Sequence, residues 1–279
     1  MAHIDVHEPV EIADALLIEG FPGLGLVGKI TVDHLVETLD MQHFADVHCD
    51  GLPKAASFAA DSPGLHTPVR LHAAPEENLV VLQSDVQVTP DAAYEFAECV
   101  SGWLDETGTT PVYVAGIAPD EEQDSGPPAG VDGESNPPGT TESTATDGTV
   151  PIQSSDAEET KIRGVASGPA TALVEEADLP VPEMAGMVSG PSGALLAHAL
   201  EADLPALGLV VDTHTKFPDP GAAKAVLQRV VEPLAGVDVA VETLDHQAEQ
   251  VQRAKEQLAE RVAADDEKSS KATALPMYQ

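Results

Sequence analysis

The sequence predicts an α/β protein: a three-layer α/β/α sandwich with a mostly parallel or mixed central sheet, followed by a long C-terminal helix. Short apolar runs without polar alternation indicate strands that are buried on both faces of a sheet. Helical patterns lie between these runs, and that alternation is typical of three-layer α/β proteins. With 279 residues, the chain is long enough to bury a sizeable core.

The apolar runs predict eight strands, at 15–19, 45–49, 69–72, 79–84, 111–117, 161–166, 183–189 and 206–212. Amphipathic patterns predict helices between them, at 24–39, 90–106, 169–177, 192–202 and 219–235. Together these elements form one predicted domain over residues 1–240.

Residues 119–160 interrupt this domain with a different composition. The segment holds eleven Asp or Glu, no Lys or Arg and no aromatic residue, among many Pro, Gly, Ser and Thr. It cannot bury enough apolar surface to offset its chain entropy, so we predict a disordered acidic insertion.

A single long helix is predicted at 241–265. Leu244, Val251 and Leu258 recur every seven residues and form one apolar stripe. The stripe favours packing on the helix's own domain or on a neighbouring subunit, with a free coiled coil as the alternative. Residues 266–279 are predicted to form a flexible polar tail.

The chain is strongly acidic, with 48 Asp and Glu against 13 Lys and Arg and a formal net charge of −35. The acids occur along the whole chain, which favours a halophilic cytosol over a dedicated basic partner, because molar salt screens self-repulsion. So few cations predict no nucleic-acid binding. We expect no membrane span, no signal peptide and a cytoplasmic location. Two cysteines predict neither a disulfide framework nor a zinc cluster.

The segment GFPGLGLVGK at 20–29 joins the first predicted strand to the first helix. It matches the dinucleotide fingerprint G-x-G-x-x-G, and Asp50 after the next strand is the candidate ribose ligand. Against that function, Pro22 removes a backbone donor near the phosphate position. We therefore favour a structural glycine turn that packs helix on sheet, formed by Phe21, Pro22, Gly23, Gly25 and Gly28.

Three other patterns carry weaker signals. A second glycine corner, SGPSG at 189–193, offers Ser189 or Ser192 as a helix cap. Residues 212–215, Asp-Thr-His-Thr, favour a hydrogen-bonded loop over a catalytic trio, because no nucleophile motif is near. The histidines at 3, 7, 43 and 48 stand alone in sequence, so no catalytic, cofactor or metal site is predicted.

Four segments carry a resemblance to a known family: EGFPGLGLVG at 19–28, Leu-Pro at 52–53, MVSGPSGALL at 187–196 and DPGAAKAVL at 219–227. They resemble the archaeal proteasome assembly chaperone family over about 12–117 and 161–250. The resemblance implies an α/β/α core, a homo-oligomer and no enzymatic activity. The alternative is a nucleotide- or dinucleotide-binding enzyme, ATP-grasp-like or Rossmann-like, that uses the 23–28 turn.

The sequence ends in Met277, Tyr278 and Gln279, which fit the hydrophobic–tyrosine–any tail that docks between α subunits of the 20S proteasome. A terminal carboxylate would pair with a pocket lysine, while Tyr278 and Met277 fill the apolar part of the pocket. These three residues are the predicted partner-binding site. A second alternative is a general acidic adaptor in which the insertion recruits basic clients.

Overall fold

The computed structural model describes residues 3–12, 14–50, 52–58, 60, 63–118, 160–213 and 217–271, with no side-chain description at 90–91 or 259–271. The acidic insertion predicted at 119–160 therefore lies outside the described residues, apart from Thr160. The last eight residues, 272–279, also lie outside them.

An eight-stranded mixed sheet forms the centre of the molecule. The described residues form ten strands, eight in this sheet and two in a separate hairpin: β1 (His3–Val6), β2 (Leu16–Gly20), β3 (Gln42–His48), β4 (Ser57–Phe58), β5 (Leu65–His66), β6 (Val69–Ala74), β7 (Leu79–Ser84), β8 (Thr110–Ile117), β9 (Ile162–Ser167) and β10 (Ala206–Asp212). Their order in the sheet is β1-β3-β6-β7-β2-β8-β10-β9, while β4 and β5 form a separate hairpin.

The middle of this sheet is parallel and its two sides are antiparallel. Neighbours in the run β7-β2-β8-β10 are parallel. On one side β6, β3 and β1 pair antiparallel, and on the other β9 pairs antiparallel with β10. The predicted mixed α/β class is confirmed.

Helices cover both faces of the sheet. They are α1 (Val27–Thr38), α2 (Pro90–Thr107), α3 (Thr171–Glu176), α4 (Gly190–Glu201), α5 (Pro220–Val226), α6 (Glu232–Ala235) and α7 (Glu242–Lys271). A π-helical turn, Leu227–Val231, joins α5 to α6. Leu17 of β2 packs in the core beneath α2 and α4, whereas its neighbour Ile18 packs in the core beneath α1 and α5. Successive side chains of a strand point to opposite faces, which produces the three layers.

The strand predicted at 183–189 is wrong, because no strand forms between α3 and α4. The apolar residues Met184 and Met187 are 66% and 90% exposed, so they do not enter a sheet. Gly186 lies between these two residues, and a glycine weakens a strand because it has no side chain to pack.

Strand β1 and the β4–β5 hairpin were not predicted. Most of β1 is exposed, and its sequence, His-Ile-Asp-Val, has no apolar run. It becomes a strand because it pairs antiparallel with β3 at the edge of the sheet. Such a pairing is a tertiary contact and leaves no local signal.

The C-terminal helix is longer than predicted. It spans the 30 residues to Lys271, so residues 266–271, predicted as part of the flexible tail, are helical. This stretch contains no Gly or Pro, and each residue added to an existing helix gains a hydrogen bond without a new nucleation step.

The first turns of α7 pack on the domain. Leu244 is 1% exposed and lies in the core beneath α1 and α5. Lys224 of α5 donates to both carboxylate oxygens of Asp245, at 2.6 and 2.8 Å. Farther along, Lys255 lies 5.5 Å from the centre of the Phe217 ring, and Leu258 is 49% exposed. The heptad stripe thus begins in the core and ends at the surface.

Among the described residues, no helix is both long and apolar enough to cross a lipid bilayer.

The increase in side-chain exposure along α7 is tested by a matched pair of substitutions. Leu244→Ala leaves a cavity in the core and is expected to lower the free energy of unfolding by about 2–4 kcal/mol. Leu258→Ala removes a half-exposed side chain and is expected to change it by no more than about 0.5 kcal/mol. Denaturant titration of both variants measures the difference. Equal losses would show that α7 is not anchored as described.

Candidate functional site

The first glycine turn lies at the edge of the sheet where the parallel strands end. It follows β2, next to the carboxyl ends of β8 and β10. In open α/β sheets this edge is where ligands usually bind. The local chain conformation and the partners of each polar group therefore decide what this turn can do.

Close packing fixes two of the glycines in the turn. Gly25 has φ +64°, a conformation that favours glycine, and a Cβ there would overlap Thr213. Gly28, at the start of α1, approaches the carbonyl oxygen of Glu19 so closely that a Cβ would lie 3.0 Å from it. In contrast, a Cβ at Gly23 would meet nothing closer than 4.0 Å.

A buried carboxylate, that of Glu19, lies at the centre of this corner. Glu19 ends the apolar part of β2 and is 0% exposed. Its Oε1 accepts the amide of Phe21 at 2.6 Å, and its Oε2 accepts the amide of Val114 at 3.0 Å. The Ser192 hydroxyl donates to the same Oε2 at 2.9 Å. One side chain thus connects the glycine turn, strand β8 and helix α4.

Burial raises the pKa of Glu19 to about 7, because removal from water disfavours the charged form. The hydrogen bonds from Phe21, Val114 and Ser192 act in the opposite direction but do not compensate fully. No local motif predicts a role for Glu19. The available signal was an acidic residue at the end of an apolar strand, directly before a glycine turn.

A second set of hydrogen bonds ties the turn to α5. The carboxylate of Asp219 caps α5 by accepting from the amide of Ala222 at 3.0 Å, and it also accepts from the Thr213 hydroxyl at 2.9 Å. The backbone amide of Asp219 donates to the carbonyl of Gly25 at 2.8 Å. The helix cap and the turn therefore hold each other in place.

The strand order does not fit the dinucleotide hypothesis. That hypothesis needs Asp50 to follow a parallel strand beside β2, so that turn and acid face one ligand. Instead β3, which precedes Asp50, lies three positions from β2 and pairs antiparallel with its neighbours. The strands beside β2 are β7 and β8. In addition, the Phe21 amide, a donor of the turn, already donates to Glu19.

The other predicted candidates lie at or near the same edge. Asp212 forms an ion pair with Arg163 at 2.7 Å, and Thr213 bonds to Asp219, which fits the predicted hydrogen-bonded loop. Residues 214–216 lie outside the described part of the chain. Ser189 occupies the N-cap of α4 without a side-chain cap, while Ser192 donates to Glu19 instead of capping.

The expectation that the histidines stand alone is wrong. His7, His43 and Asp46 come together at the β1–β3 end of the sheet: Nε2 of His7 lies 2.7 Å from Oδ2 of Asp46, and Nε2 of His43 lies 3.0 Å from Oδ1. The hydrogen bond to Asp46 raises the pKa of His7. The ring of His43 lies 5.2 Å from that of buried His72. The sequence gives no local sign of this cluster, because His7 follows β1 whereas His43 and Asp46 lie far along the chain on β3.

The predicted partner-binding residues, Met277, Tyr278 and Gln279, lie outside the described residues. The last described element before them is α7, which ends at Lys271.

This architecture defines a class: three-layer α/β/α proteins with a mixed sheet and two glycine corners joined through a buried carboxylate. Within this class, the chain belongs to the PAC2 family, whose model matches residues 17–259.

Solved structures with the same fold cover nearly the whole chain. Pyrococcus furiosus PbaA, an archaeal homologue of proteasome-assembly chaperone, aligns with a TM-score of 0.67 and 22% identity, over 97% of each chain. Pyrococcus furiosus PbaB, an archaeal proteasome activator, aligns with a TM-score of 0.65 and 19% identity, over 92% of this chain and 98% of PbaB. At these identities the likeness shows the fold.

Sequence relatives are more partial. The uncharacterized protein MJ1210 of Methanocaldococcus jannaschii is 32% identical over 111 residues, which cover 39% of this chain and 42% of the relative. A second uncharacterized protein of that organism, MJ0106, is 29% identical over 91 residues, or 33% of this chain and 37% of the relative. The matched segments span about two fifths of the length of these relatives.

The packing of the turn predicts different outcomes for two neighbouring glycines. Gly25→Ala introduces both a clash with Thr213 and a strained φ, and we expect it to lower the free energy of unfolding by about 2 kcal/mol or more. We expect Gly23→Ala to change it by less than about 0.5 kcal/mol, since space is open there. Thermal or urea denaturation compares them. A larger loss at Gly23 would contradict this description of the turn.

Burial of Glu19 predicts a specific pH dependence. Its pKa is about 7 in the folded protein against 4.5 for an ordinary glutamate in water, so its contribution to stability is complete below about pH 4.5 and is lost as pH rises through 7. At 1.36 kcal/mol per pH unit, the loss totals about 3 kcal/mol.

Glu19→Gln removes this titration. The stability of the wild type relative to the variant is therefore expected to fall by about 3 kcal/mol between about pH 4.5 and pH 8, measured by urea unfolding at constant salt. Subtracting the variant's curve cancels the other carboxyl groups. A constant difference across this range would mean that Glu19 does not titrate between these values.

Proposed function

We propose that this protein is a non-enzymatic proteasome assembly chaperone or adaptor, which acts as a cytoplasmic homo-oligomer and binds α subunits of the 20S proteasome through its C-terminal tail. The observation that carries the proposal is membership of the PAC2 family over residues 17–259. The likeness in fold to PbaA and PbaB, whose names refer to proteasome assembly and activation, supports it.

The chemistry of the last residues supports docking by the tail. The α-carboxylate of Gln279 pairs with a basic group of the pocket. The Tyr278 ring provides a rigid apolar surface with a polar hydroxyl, and Met277 adapts to an apolar wall. Because ordering a free peptide is entropically costly, one tail binds weakly. Several tails on one oligomer raise the apparent affinity.

The position of α7 supports the same mode of binding. The helix is anchored on the domain through Leu244 and Asp245 and contacts it as far as Lys255, and the helical residues 256–271 beyond that point span roughly 24 Å. The eight residues that follow reach at most about 29 Å when fully extended. A tail on such an arm contacts a pocket without requiring the domain itself to enter it.

The nucleotide-binding enzyme remains the alternative, and a direct assay separates it from the proposal. Ligand at 100 times its dissociation constant stabilises a protein by about 2.7 kcal/mol. We expect NAD, NADP and ATP to leave the melting temperature unchanged. A reproducible rise with any of them would favour the enzyme.

Deleting residues 277–279 is expected to abolish binding to α subunits while leaving the fold and the oligomer unchanged, since the docking groups are lost and the domain is untouched. A pull-down in about 1 M potassium chloride, where non-specific charge effects are screened, measures binding. Adding one residue after Gln279 displaces the carboxylate and is expected to act almost like the deletion.

A variant that lacks residues 119–159 is the matched control, because it removes acidic charge but keeps the tail. It is expected to bind as the intact protein does. If the tail deletion binds normally while the insertion deletion does not, the acidic adaptor is the better explanation.

A further inference from the structure

We propose that His7, His43 and Asp46 form a binding site for one divalent transition-metal ion of the Zn²⁺ class, which fastens the N-terminal edge strand to the sheet. The set offers two imidazole nitrogens and one carboxylate oxygen. It is independent of the glycine corner and of the proposed docking tail.

A bulge in β3 brings the two β3 ligands to one face. In a regular strand, residues three apart, such as His43 and Asp46, point to opposite faces. The register of β3 against β6 shifts between His43 and Ala45, so Phe44 is an extra residue. This shift reverses the alternation and places both side chains on the same side.

The backbone around the bulge also places the third ligand. The carbonyl of Phe44 accepts the amide of His7 at 2.8 Å and that of Glu8 at 3.3 Å. The chain is therefore held at the point where β1 ends, and the His7 ring reaches Asp46. A site whose backbone is fixed before binding loses little entropy when the ion arrives.

The ligand atoms have the spacing that an ion requires. One nitrogen or oxygen from each residue lies within 4.8 Å of the others, and the His–Asp separations are 2.7 and 3.0 Å. Ligands about 2.0–2.1 Å from a tetrahedral Zn²⁺ lie roughly 3.3 Å apart, so small side-chain rotations admit the ion.

Solvent access and charge favour a cation at this point. The side chains of His7 and His43 are 42% and 32% exposed, which leaves an open path and room for a water ligand. Asp5 and Glu8 are close enough to act electrostatically on His7. Arg70 of β6 lies opposite Asp46 of β3 in the strand register, but its guanidinium group forms an ion pair with Asp85 at 2.9 Å.

A buried histidine beside the site, His72, lacks a well-formed hydrogen bond to the described residues. His72 is 8% exposed, and within the described residues neither ring nitrogen makes a hydrogen bond of good geometry. It lies across from His43 in the β3–β6 register. Unpaired buried polar groups are rare in folded proteins, and a water bound to a metal ion beside His43 would provide this histidine with a donor.

The ligand types select the metal. Imidazole with one carboxylate suits Zn²⁺ and its neighbours Co²⁺ and Ni²⁺, whereas Mg²⁺ and Ca²⁺ prefer oxygen ligands throughout. Since His7 follows β1 while the other two ligands lie on β3, the ion cross-links the edge strand to the sheet.

Calorimetric titration of the full chain with ZnCl₂, after treatment with a chelator, tests the proposal. Molar potassium chloride and excess MgCl₂ suppress general cation binding to this acidic protein. We expect one equivalent of Zn²⁺ to bind, and Co²⁺ in its place to give the visible absorption of a tetrahedral site. His7→Gln and His43→Ala are each expected to weaken binding about 100-fold or more.

His246→Ala is the matched control, because it removes an exposed histidine from α7 and leaves the cluster intact. It is expected to bind Zn²⁺ as the wild type does. His7 is itself exposed, so its variant is not expected to compromise folding. The proposal is overturned if the wild type binds no Zn²⁺, if Mg²⁺ displaces it, if both cluster variants bind normally, or if the control loses as much affinity as they do.

Discussion

The hydrogen bonds to the Glu19 carboxylate are the contacts on which the glycine turn and its neighbouring elements depend. This carboxylate lies in a site without water contact and accepts three hydrogen bonds, from the turn that follows its own strand, from β8 and from α4. A buried carboxyl group with unmet hydrogen-bonding capacity would cost several kcal/mol. The surrounding chain must therefore keep all three donors in place, which fixes how the two glycine corners meet.

The same close packing requires glycine at two positions of the turn. Helix α1 begins so close to β2 that a Cβ at Gly28 would press on the carbonyl of Glu19, and the turn passes so close to Thr213 that Gly25 admits no side chain. Asp219 then secures the turn from the side of α5. Two glycines of a sequence that matches a phosphate-binding fingerprint thus pack closely against strand and loop.

The bulge in β3 brings the histidine cluster together. Without the extra residue at Phe44, His43 and Asp46 would lie on opposite faces of β3, one of them in the core beneath α2. The bulge places both on the face that carries His72 and Arg70 of β6, next to His7. The corner and the cluster lie at different places on the sheet, so a change at one leaves the contacts of the other intact.

The sequence by itself determined the α/β class, most of the strands and helices, and the glycine turn between β2 and α1. Each rests on a local pattern: an apolar run, an amphipathic period or a glycine spacing. Only the tertiary structure decided that β1 joins the sheet edge. It also decided the partners of Glu19 and the meeting of His7, His43 and Asp46. These features depend on strand order and register, which arise from contacts between residues far apart in the chain and therefore leave no local periodicity to detect.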